Sequence, residues 1–256
     1  MSEKIKHNLP IIREKKGQFM VDYYELADDE GVVFRCDVEL DLIDDAPQEE
    51  RPWLLWLFVK SDAPLSDTFS AFMEDLKNTL KATLDAVFAG TITKEGWVEC
   101  YFYAPDGKRF ENLTSEVMSR HGGFAHERGA SRDSKWEMYL ERLYPDAYAQ
   151  LRIQNRHTVE ALLEAGDDLT LAREIEHYLF FQTKSSMDRS IASLSPHGFV
   201  LKEEFKDDQN DYAYGAVLTK TESVTPEAVE ASTALLFDAA LEQHGLYEGW
   251  STVLAA

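Results

Sequence analysis

The alternation of apolar and polar residues predicts several β-strands in the first part of the chain. Apolar and charged residues alternate along Val32–Ile43, which is the period-two pattern of a sheet with one wet face. Asp28–Gly31 has the composition of a turn, so Gln18–Leu26 is predicted to pair with this strand as a hairpin. Trp53–Lys60 is apolar almost throughout and predicts a central strand.

Helical spacing follows directly after the central strand. Apolar residues three and four positions apart predict a helix that begins at Ser66 and ends at Gly90. Thr91–Ala104 returns to strand composition, a shorter helix is predicted to stop at Gly122, and Trp136–Leu143 is predicted as a strand. This order of elements indicates an α+β sandwich with a mixed sheet and two helices.

The second part of the chain has a more regular pattern. A leading helix ends at Gly166, and the elements that follow are strand, helix, two strands, helix and strand. This β-α-β-β-α-β order is that of a ferredoxin-like sandwich. No linker rich in Gly, Ser or Pro divides the chain, and we place the domains at residues 1–150 and 151–256. The predicted strands are Arg173–Gln182, Phe199–Lys206, Tyr212–Thr219 and Trp250–Leu254, and the predicted helices are Ser186–Pro196 and Thr225–Gly245.

Charge restricts the partners that this protein can have. The 256 residues include 26 Lys plus Arg and 47 Asp plus Glu, a formal net charge of −21. Both parts are acidic, since residues 151–256 contain 8 basic and 18 acidic residues. Such a chain is repelled by phosphate backbones and anionic membranes, so direct binding to nucleic acid or membrane is not expected. A basic protein partner suits this charge.

Cysteine content and hydropathy indicate a cytoplasmic protein. Cys36 and Cys100 are too few for a disulfide framework, and we interpret them as buried reduced thiols. The N-terminal residues show no apolar core of a secretory signal. The longest apolar run, Trp53–Val59, is too short to cross a bilayer.

Sequence motifs give little support to catalysis. The chain has no phosphate-binding loop, dinucleotide-binding glycine motif, zinc-protease motif or nucleophile elbow. A locally basic stretch holding Arg120, His121, His126 and Arg128 could form a small-anion or phosphate site, or contribute to a ligand site between the domains. A metal would need further ligands there, and we predict neither a metal nor a cofactor. An enzyme or small-ligand binder is therefore an alternative function.

Pairs of aspartates could act as general acids and bases or as magnesium ligands. Each pair lies where a turn or a helix start is predicted, and Asp is favoured there because its carboxylate accepts hydrogen bonds from nearby backbone amides. We therefore interpret the pairs as turn formers. They occupy positions 28–29, 44–45, 167–168 and 207–208.

The strand at 173–181 carries large side chains on both faces. Ile175, His177, Leu179 and Phe181 share one face, while Tyr178 and its alternate neighbours share the other. Helices cover only one face of a ferredoxin-like sheet, so we expect the second face to be covered as well, by the N-terminal domain or by a partner. His177 is predicted to be buried and hydrogen-bonded, with a role in recognition as the alternative.

Residues from about 155 to 255 resemble the family of the regulator of ribonuclease E activity B (RraB). The matching segments are Val159–Asp168, Ile175–His177, His197–Phe199 and Leu246–Trp250. The resemblance implies a ferredoxin-like α/β sandwich without catalytic activity. Such regulators bind the C-terminal scaffold region of ribonuclease E and inhibit RNA decay. Residues from about 10 to 150 are similar to an uncharacterised bacterial domain that often precedes an RraB-like module.

Two features differ from the family pattern. Family members often carry a second histidine where this chain has Tyr178, and a long acidic tail where this chain stops at Ala256. The acidic domain nevertheless suits an arginine-rich scaffold segment, with association that weakens as salt rises.

The leading hypothesis is a protein-interaction module that regulates RNA degradation, with a structural assembly module as a further alternative. Gly249 is interpreted as a backbone requirement for a positive φ or a close approach. The sequence leaves the oligomeric state open. The candidate contact residues are Glu176, His177, Tyr247, Glu248 and Trp250.

Overall fold

The computed structural model describes residues 21–28, 30–64, 66–207 and 209–255. These residues form two compact units that divide between Asp146 and Ala147, which we call the N-terminal unit and the C-terminal unit. Each unit combines helices with one antiparallel sheet, so the predicted α+β fold class is confirmed. Residues 18–20 of the first predicted strand, together with Asp29 and Asp208 of the predicted turns, lie outside the described residues.

The N-terminal unit is built on a six-stranded sheet. Its strands are β1 (Val21–Ala27), β2 (Val33–Glu39), β3 (Trp53–Lys60), β4 (Val87–Lys94), β5 (Trp97–Ala104) and β6 (His126–Arg132), and its helices are α1 (Asp67–Leu84) and α2 (Phe110–Arg120). The strand order is β1-β2-β4-β5-β3-β6, and every pairing is antiparallel. The prediction of a mixed sheet is wrong in this respect, because short hairpins join β1 to β2 and β4 to β5, and hairpins can join only antiparallel strands.

Helix α1 covers one face of this sheet. It begins where the Ser66 hydroxyl accepts a hydrogen bond from the amide of Phe69, and it ends at Leu84 because Asp85 adopts a left-handed conformation with φ 52°. The predicted end at Gly90 is too late by six residues. The predicted apolar stripe is buried against the sheet as expected. Its buried members are Phe69, Phe72, Met73, Leu76 and Leu80.

Two predicted strands of the N-terminal unit have a different structure. Thr91–Ala104 is divided between β4 and β5, because Glu95 and Gly96 both have positive φ and reverse the chain as a tight turn. Residues Met138–Leu143, within the predicted strand Trp136–Leu143, instead form a π-helical turn. Trp136, Tyr139 and Leu143 are fully buried on one side of this segment, and their spacing of three and four is helical.

The C-terminal unit has the predicted ferredoxin-like order. Its elements are α3 (Ala147–Glu164), β7 (Arg173–Phe181), α4 (Lys184–Leu194), β8 (Val200–Lys206), β9 (Tyr214–Glu222), α5 (Pro226–Glu242) and β10 (Leu246–Thr252). The strand order β10-β7-β9-β8 is antiparallel throughout. The last strand begins at Leu246, four residues before the prediction, because Tyr247 already pairs with Leu179 of β7.

Helices α4 and α5 pack on one face of the C-terminal sheet. Leu179 and Phe181 of β7 are buried there together with Leu194 of α4 and Leu236 of α5. The face opposite these helices, which we call the second face, carries the alternate residues of each strand. Its members, by register, include Glu174, Glu176, Tyr178, Phe180, Glu203, Phe205, Val217, Thr219 and Ser251.

Aspartates act as turn formers at three of the predicted places. The Asp28 carboxylate accepts hydrogen bonds from the amides of Glu30 and Val32, and Asp168 accepts one from the amide of Thr170. Asp207 accepts an equivalent bond from residue 209. Asp167 differs, because its side chain is fully buried and paired with Arg173 at 2.6 Å.

Candidate functional site

The five predicted contact residues lie on two neighbouring strands of the C-terminal unit. Glu176 and His177 belong to β7, and Tyr247, Glu248 and Trp250 belong to β10. The antiparallel register places Trp250 opposite His177. The structure therefore brings all five into one region of the sheet, although it distributes their side chains between the two faces and the edge.

His177 and Tyr247 form a buried polar pair beneath the helices. The Tyr247 hydroxyl and His177 Nδ1 are joined by a hydrogen bond of 2.9 Å, and the two residues are 2% and 1% exposed. The Phe199 ring packs edge-on against the imidazole, whose Nε2 is buried and has no hydrogen-bond partner among the residues that the structure describes. Burial, assisted by the positive charge of Lys220, lowers the pKa of His177 to about 3. The imidazole is therefore neutral at physiological pH, and the prediction of a buried, hydrogen-bonded histidine is confirmed.

Trp250 connects the sheet to two helices. Its indole Nε1–H donates to Oδ1 of Asn155 in α3 at 3.0 Å, and the Asn155 amide donates to the Thr233 hydroxyl of α5 at 2.7 Å. Trp250 also packs against an apolar cluster that contains Ile175 and Val159. The residue is half-buried, and its contacts are those of a core residue.

The solvent-facing candidates are the two glutamates. Glu176 lies on the second face, where the Lys202 ammonium contacts its carboxylate at 2.5 Å and that of Glu174 at 2.7 Å. The hydrogen bond from Lys202, together with one from the Tyr178 hydroxyl, holds the pKa of Glu176 below its usual range. Glu248 is exposed at a bulge in β10, and partial desolvation raises its pKa. Gly249 has φ 106°, so the predicted positive φ at this glycine is confirmed.

The second face is polar at one end and aromatic at the other. At the polar end, the Tyr178 hydroxyl donates to Glu176 at 3.0 Å and lies 2.8 Å from the Ser251 hydroxyl. At the aromatic end, the rings of Phe180 and Phe205 meet edge-on with centroids 5.6 Å apart. The Phe205 ring lies directly over Gly215, in the space where any Cβ atom would stand. This face offers carboxylates and an apolar surface.

The alternative candidates lie in the N-terminal unit and separate into two places. Arg120 holds Asp75 through two hydrogen bonds of 2.9 and 3.0 Å, and His121 Nε2 lies 2.9 Å from the same carboxylate. Chiefly because of Arg120, the pKa of Asp75 falls to about 2. His126 and Arg128 lie instead on β6, where His126 contacts a backbone carbonyl and Arg128 donates to a threonine of α2. The two pairs therefore have different hydrogen-bond partners.

Both cysteines are fully buried and free, as predicted. Burial raises the pKa of Cys100 to about 12, so its thiol stays protonated. Within the described ranges, no group of three or more His, Cys, Asp or Glu side chains is placed to hold a metal ion. The same part of the chain contains no helix whose length and apolar character would allow it to cross a membrane.

Three further residues that shape this region were not predicted from the sequence. Lys202 reaches two glutamates of β7 because β8 contains a bulge between Leu201 and Glu203, which no sequence pattern indicated. Ser251 pairs with Glu176 only in the observed register. Asn155 did have a signal, because it stands at the same helical spacing as its buried neighbours in α3.

Comparison with known families agrees with this architecture. Residues 152–252 match the family described as "Regulator of ribonuclease activity B" (RraB), and residues 22–144 match a "Family of unknown function (DUF695)". The predicted resemblance of both parts is thereby confirmed. The C-terminal unit is therefore similar to the RraB family, and the N-terminal unit to a family without an assigned role.

Comparisons with individual proteins add no functional information. No curated protein matches the chain. Among solved structures, the chain is similar to an unknown protein from Galdieria sulphuraria, with 10% identity, a TM-score of 0.22, and coverage of 79% of this chain and 99% of that one. It is also similar to a microcompartments protein from Desulfitobacterium hafniense DCB, with 11% identity, a TM-score of 0.24, and coverage of 80% and 94%. TM-scores this low do not establish a shared fold.

Proposed function

We propose that this protein is a non-catalytic regulator that acts in the cytoplasm, by binding the basic scaffold region of a ribonuclease E-type enzyme and inhibiting its RNA-degrading activity. The observation that carries the proposal is the RraB match, which spans nearly the whole C-terminal unit from α3 to β10. The N-terminal unit is assigned no part in this binding.

Charge supports a basic protein as the partner. The chain carries a net charge of −21, and the second face of the C-terminal unit presents the carboxylates of Glu174, Glu176 and Glu203 together with the ammonium of Lys202. Arginine side chains of a partner can form charge-assisted hydrogen bonds with such carboxylates. The same charge disfavours direct binding to RNA, because phosphates are repelled.

Burial supports a division of roles among the five candidate residues. Glu176 and Glu248 present carboxylates that a partner can reach, and we assign them to the contact surface. His177, Tyr247 and Trp250 face the helices, and we propose that they hold β7 and β10 in register beneath that surface. Replacing one of these three residues then weakens binding only if the replacement also destabilises the sheet.

The experiment that tests this proposal is a titration of the full chain against purified ribonuclease E, intact and without its scaffold region. We expect micromolar or tighter binding to the intact enzyme, weakening as salt rises from 50 to 200 mM on the order of tenfold, since exposed charges are screened over about 8–10 Å. Equal binding to the scaffold-deleted enzyme would assign the contact to the catalytic region. No binding at low salt, where attraction is strongest, would contradict the proposal.

A further inference from the structure

Strand β8 is an edge strand whose side chains all face solvent. It pairs with β9 on one side, and within the described part of the chain no strand pairs with its other side. All seven residues from Val200 to Lys206 are exposed. The exposure includes large apolar side chains, with Val200 63% and Phe205 38% exposed. A sheet edge presents backbone N–H and C=O groups that another extended chain can bind.

Natural proteins usually block the pairing of such an edge with another chain. In β8 this pairing is blocked over only part of the strand. A bulge between Leu201 and Glu203 and the charge of Lys202 disrupt the first half of the edge. From Glu203 to Lys206 the register with β9 is regular, residue by residue. These four residues span about 13 Å at roughly 3.3 Å per residue. A segment of this length can accept one short extended strand.

The side chains around this regular half suit a chain that is both basic and apolar. Phe205 lies beside Phe180 on the second face and covers Gly215, which leaves an exposed aromatic shelf at the edge. Glu203 forms no ion pair within the described part of the chain and lies on the same face as the shelf. On the helix side of the strand, Glu204 is paired with Lys184 at 2.6 Å. The uncompensated charge on the second face at this edge is therefore negative.

We propose that β8 binds an extended basic segment of the partner, which adds a fifth strand to the C-terminal sheet through main-chain hydrogen bonds to residues Glu203–Lys206. This inference rests on the proposed function and names the part of the partner that is recognised. In this mode of recognition, backbone hydrogen bonds supply affinity and alternate side chains supply specificity. Every second residue of the bound segment then faces Glu203 and Phe205, so an alternation of arginine or lysine with apolar residues is expected.

The test exploits the alternation of N–H directions along a strand. In an antiparallel pair, neighbouring residues point their N–H groups alternately toward and away from the partner strand, so only one of Glu203 and Glu204 donates away from β9. Four variants are made in the full chain: Glu203→Pro and Glu204→Pro, each matched by the alanine variant at the same position. Proline removes the N–H, whereas alanine removes the same side chain and keeps it.

Thermal melting first identifies the informative proline variant. A proline variant that melts at the same temperature as the alanine variant at its position has kept its hydrogen bonds to β9. The N–H that this proline removed therefore pointed away from β9, and this is the informative variant. Each chain is then titrated with the isolated scaffold region of ribonuclease E. We expect the informative proline variant to bind at least tenfold more weakly than its alanine match. If both proline variants melt early, hydrogen exchange of the amides at 203–206 in the wild-type chain replaces this comparison, and slower exchange in the complex is expected.

The outcomes separate this inference from the proposed function. Equal affinity of the informative proline variant and its alanine match, or unchanged exchange at 203–206 in the complex, overturns the edge-binding inference while wild-type binding upholds the proposed function. Absence of wild-type binding overturns both. A wild-type dimer in sedimentation that the informative proline variant converts to a monomer assigns the edge to a second copy of this chain, which also overturns the inference.

Discussion

The Tyr247 hydroxyl lies 2.9 Å from Nδ1 of His177, and this hydrogen bond joins the edge strand β10 to the central strand β7 beneath the helices. Both side chains are buried, and burial keeps the imidazole neutral and the phenol protonated. The sequence predicted a buried, hydrogen-bonded His177, and the structure adds that its hydrogen-bond partner is Tyr247, another of the candidate contact residues. Their neighbours Glu176 and Glu248 are the candidate contact residues whose carboxylates reach solvent.

Removing the hydroxyl from this pair should reduce stability while leaving the binding surface unchanged. Tyr247→Phe deletes one buried hydrogen bond and leaves His177 Nδ1 without a partner, which costs about 1–3 kcal/mol. Urea unfolding measures this loss. Binding to the scaffold region, measured well below the melting temperature, should stay within threefold of wild type, and a larger loss of affinity at unchanged stability would place Tyr247 in the contact surface.

The neutral His177 predicts a pH dependence of stability. In the folded state its pKa is about 3, whereas in the unfolded chain it returns to about 6.5. Between these values the unfolded state binds one proton more, so the free energy of unfolding falls as pH decreases from about 6.5, by at most about 1.4 kcal/mol per pH unit. Urea unfolding at pH 7, 6 and 5, compared between wild type and His177→Gln, isolates this contribution from that of the carboxylates. Parallel curves for the two proteins would show that His177 is not the group responsible.

The hydrogen bond from Trp250 to Asn155 predicts energetic coupling between β10 and α3. Trp250→Phe and Asn155→Ala each break the 3.0 Å bond, and the double variant can lose it only once. A double-mutant cycle of unfolding free energies should therefore give a coupling of about 1 kcal/mol. Strictly additive losses would indicate that Trp250 contributes through packing alone.

Charge reversal on the second face should weaken binding more than the same reversal on the helix side. Glu203→Lys and Glu242→Lys change the net charge equally, and Glu242 lies at the last position of α5, where a lysine is compatible with the helix dipole. We expect Glu203→Lys to weaken binding to the scaffold region by about tenfold at low salt, with less than a threefold effect from Glu242→Lys. Equal effects of the two variants would show that net charge, rather than the second face, determines affinity.

Sequence periodicity predicted the elements correctly where the apolar pattern extends over several turns or strand residues. The stripe from Phe69 to Leu80 predicted α1, and the alternation along 173–181 predicted the strand β7 and the residues that share each of its faces. Strict periodicity succeeded there because burial of a single face imposes a single period on the sequence.

The errors arose where local composition and tertiary contacts disagree. Trp136 and Tyr139 suggested a strand because they are aromatic, but the indole stacks on Tyr103 at 4.0 Å and the Tyr139 hydroxyl donates to the carbonyl of Glu39, contacts that a helical turn provides. The division of Thr91–Ala104 depends on left-handed conformations at Glu95 and Gly96. The helical spacing of Trp136, Tyr139 and Leu143 was outweighed by their strand-like composition, whereas the turn at Glu95 and Gly96 leaves no signal in the spacing.

The candidate site was predicted in outline but not in its details. Resemblance to a family located β7 and β10, whereas the assignment of each side chain to a face required the register between them. Lys202 is an example of a contact that the sequence does not show, because its ion pairs with Glu174 and Glu176 depend on a bulge in a third strand, β8.

The central claim is that this protein inhibits a ribonuclease without catalysing a reaction itself. The most direct measurement is the rate of RNA cleavage by ribonuclease E as the full chain is added, with intact enzyme, scaffold-deleted enzyme and the chain alone on the same RNA. The account predicts dose-dependent inhibition of the intact enzyme, no effect on the scaffold-deleted enzyme, and no cleavage by the chain alone. An unchanged cleavage rate of the intact enzyme at saturating concentrations of the chain would contradict it.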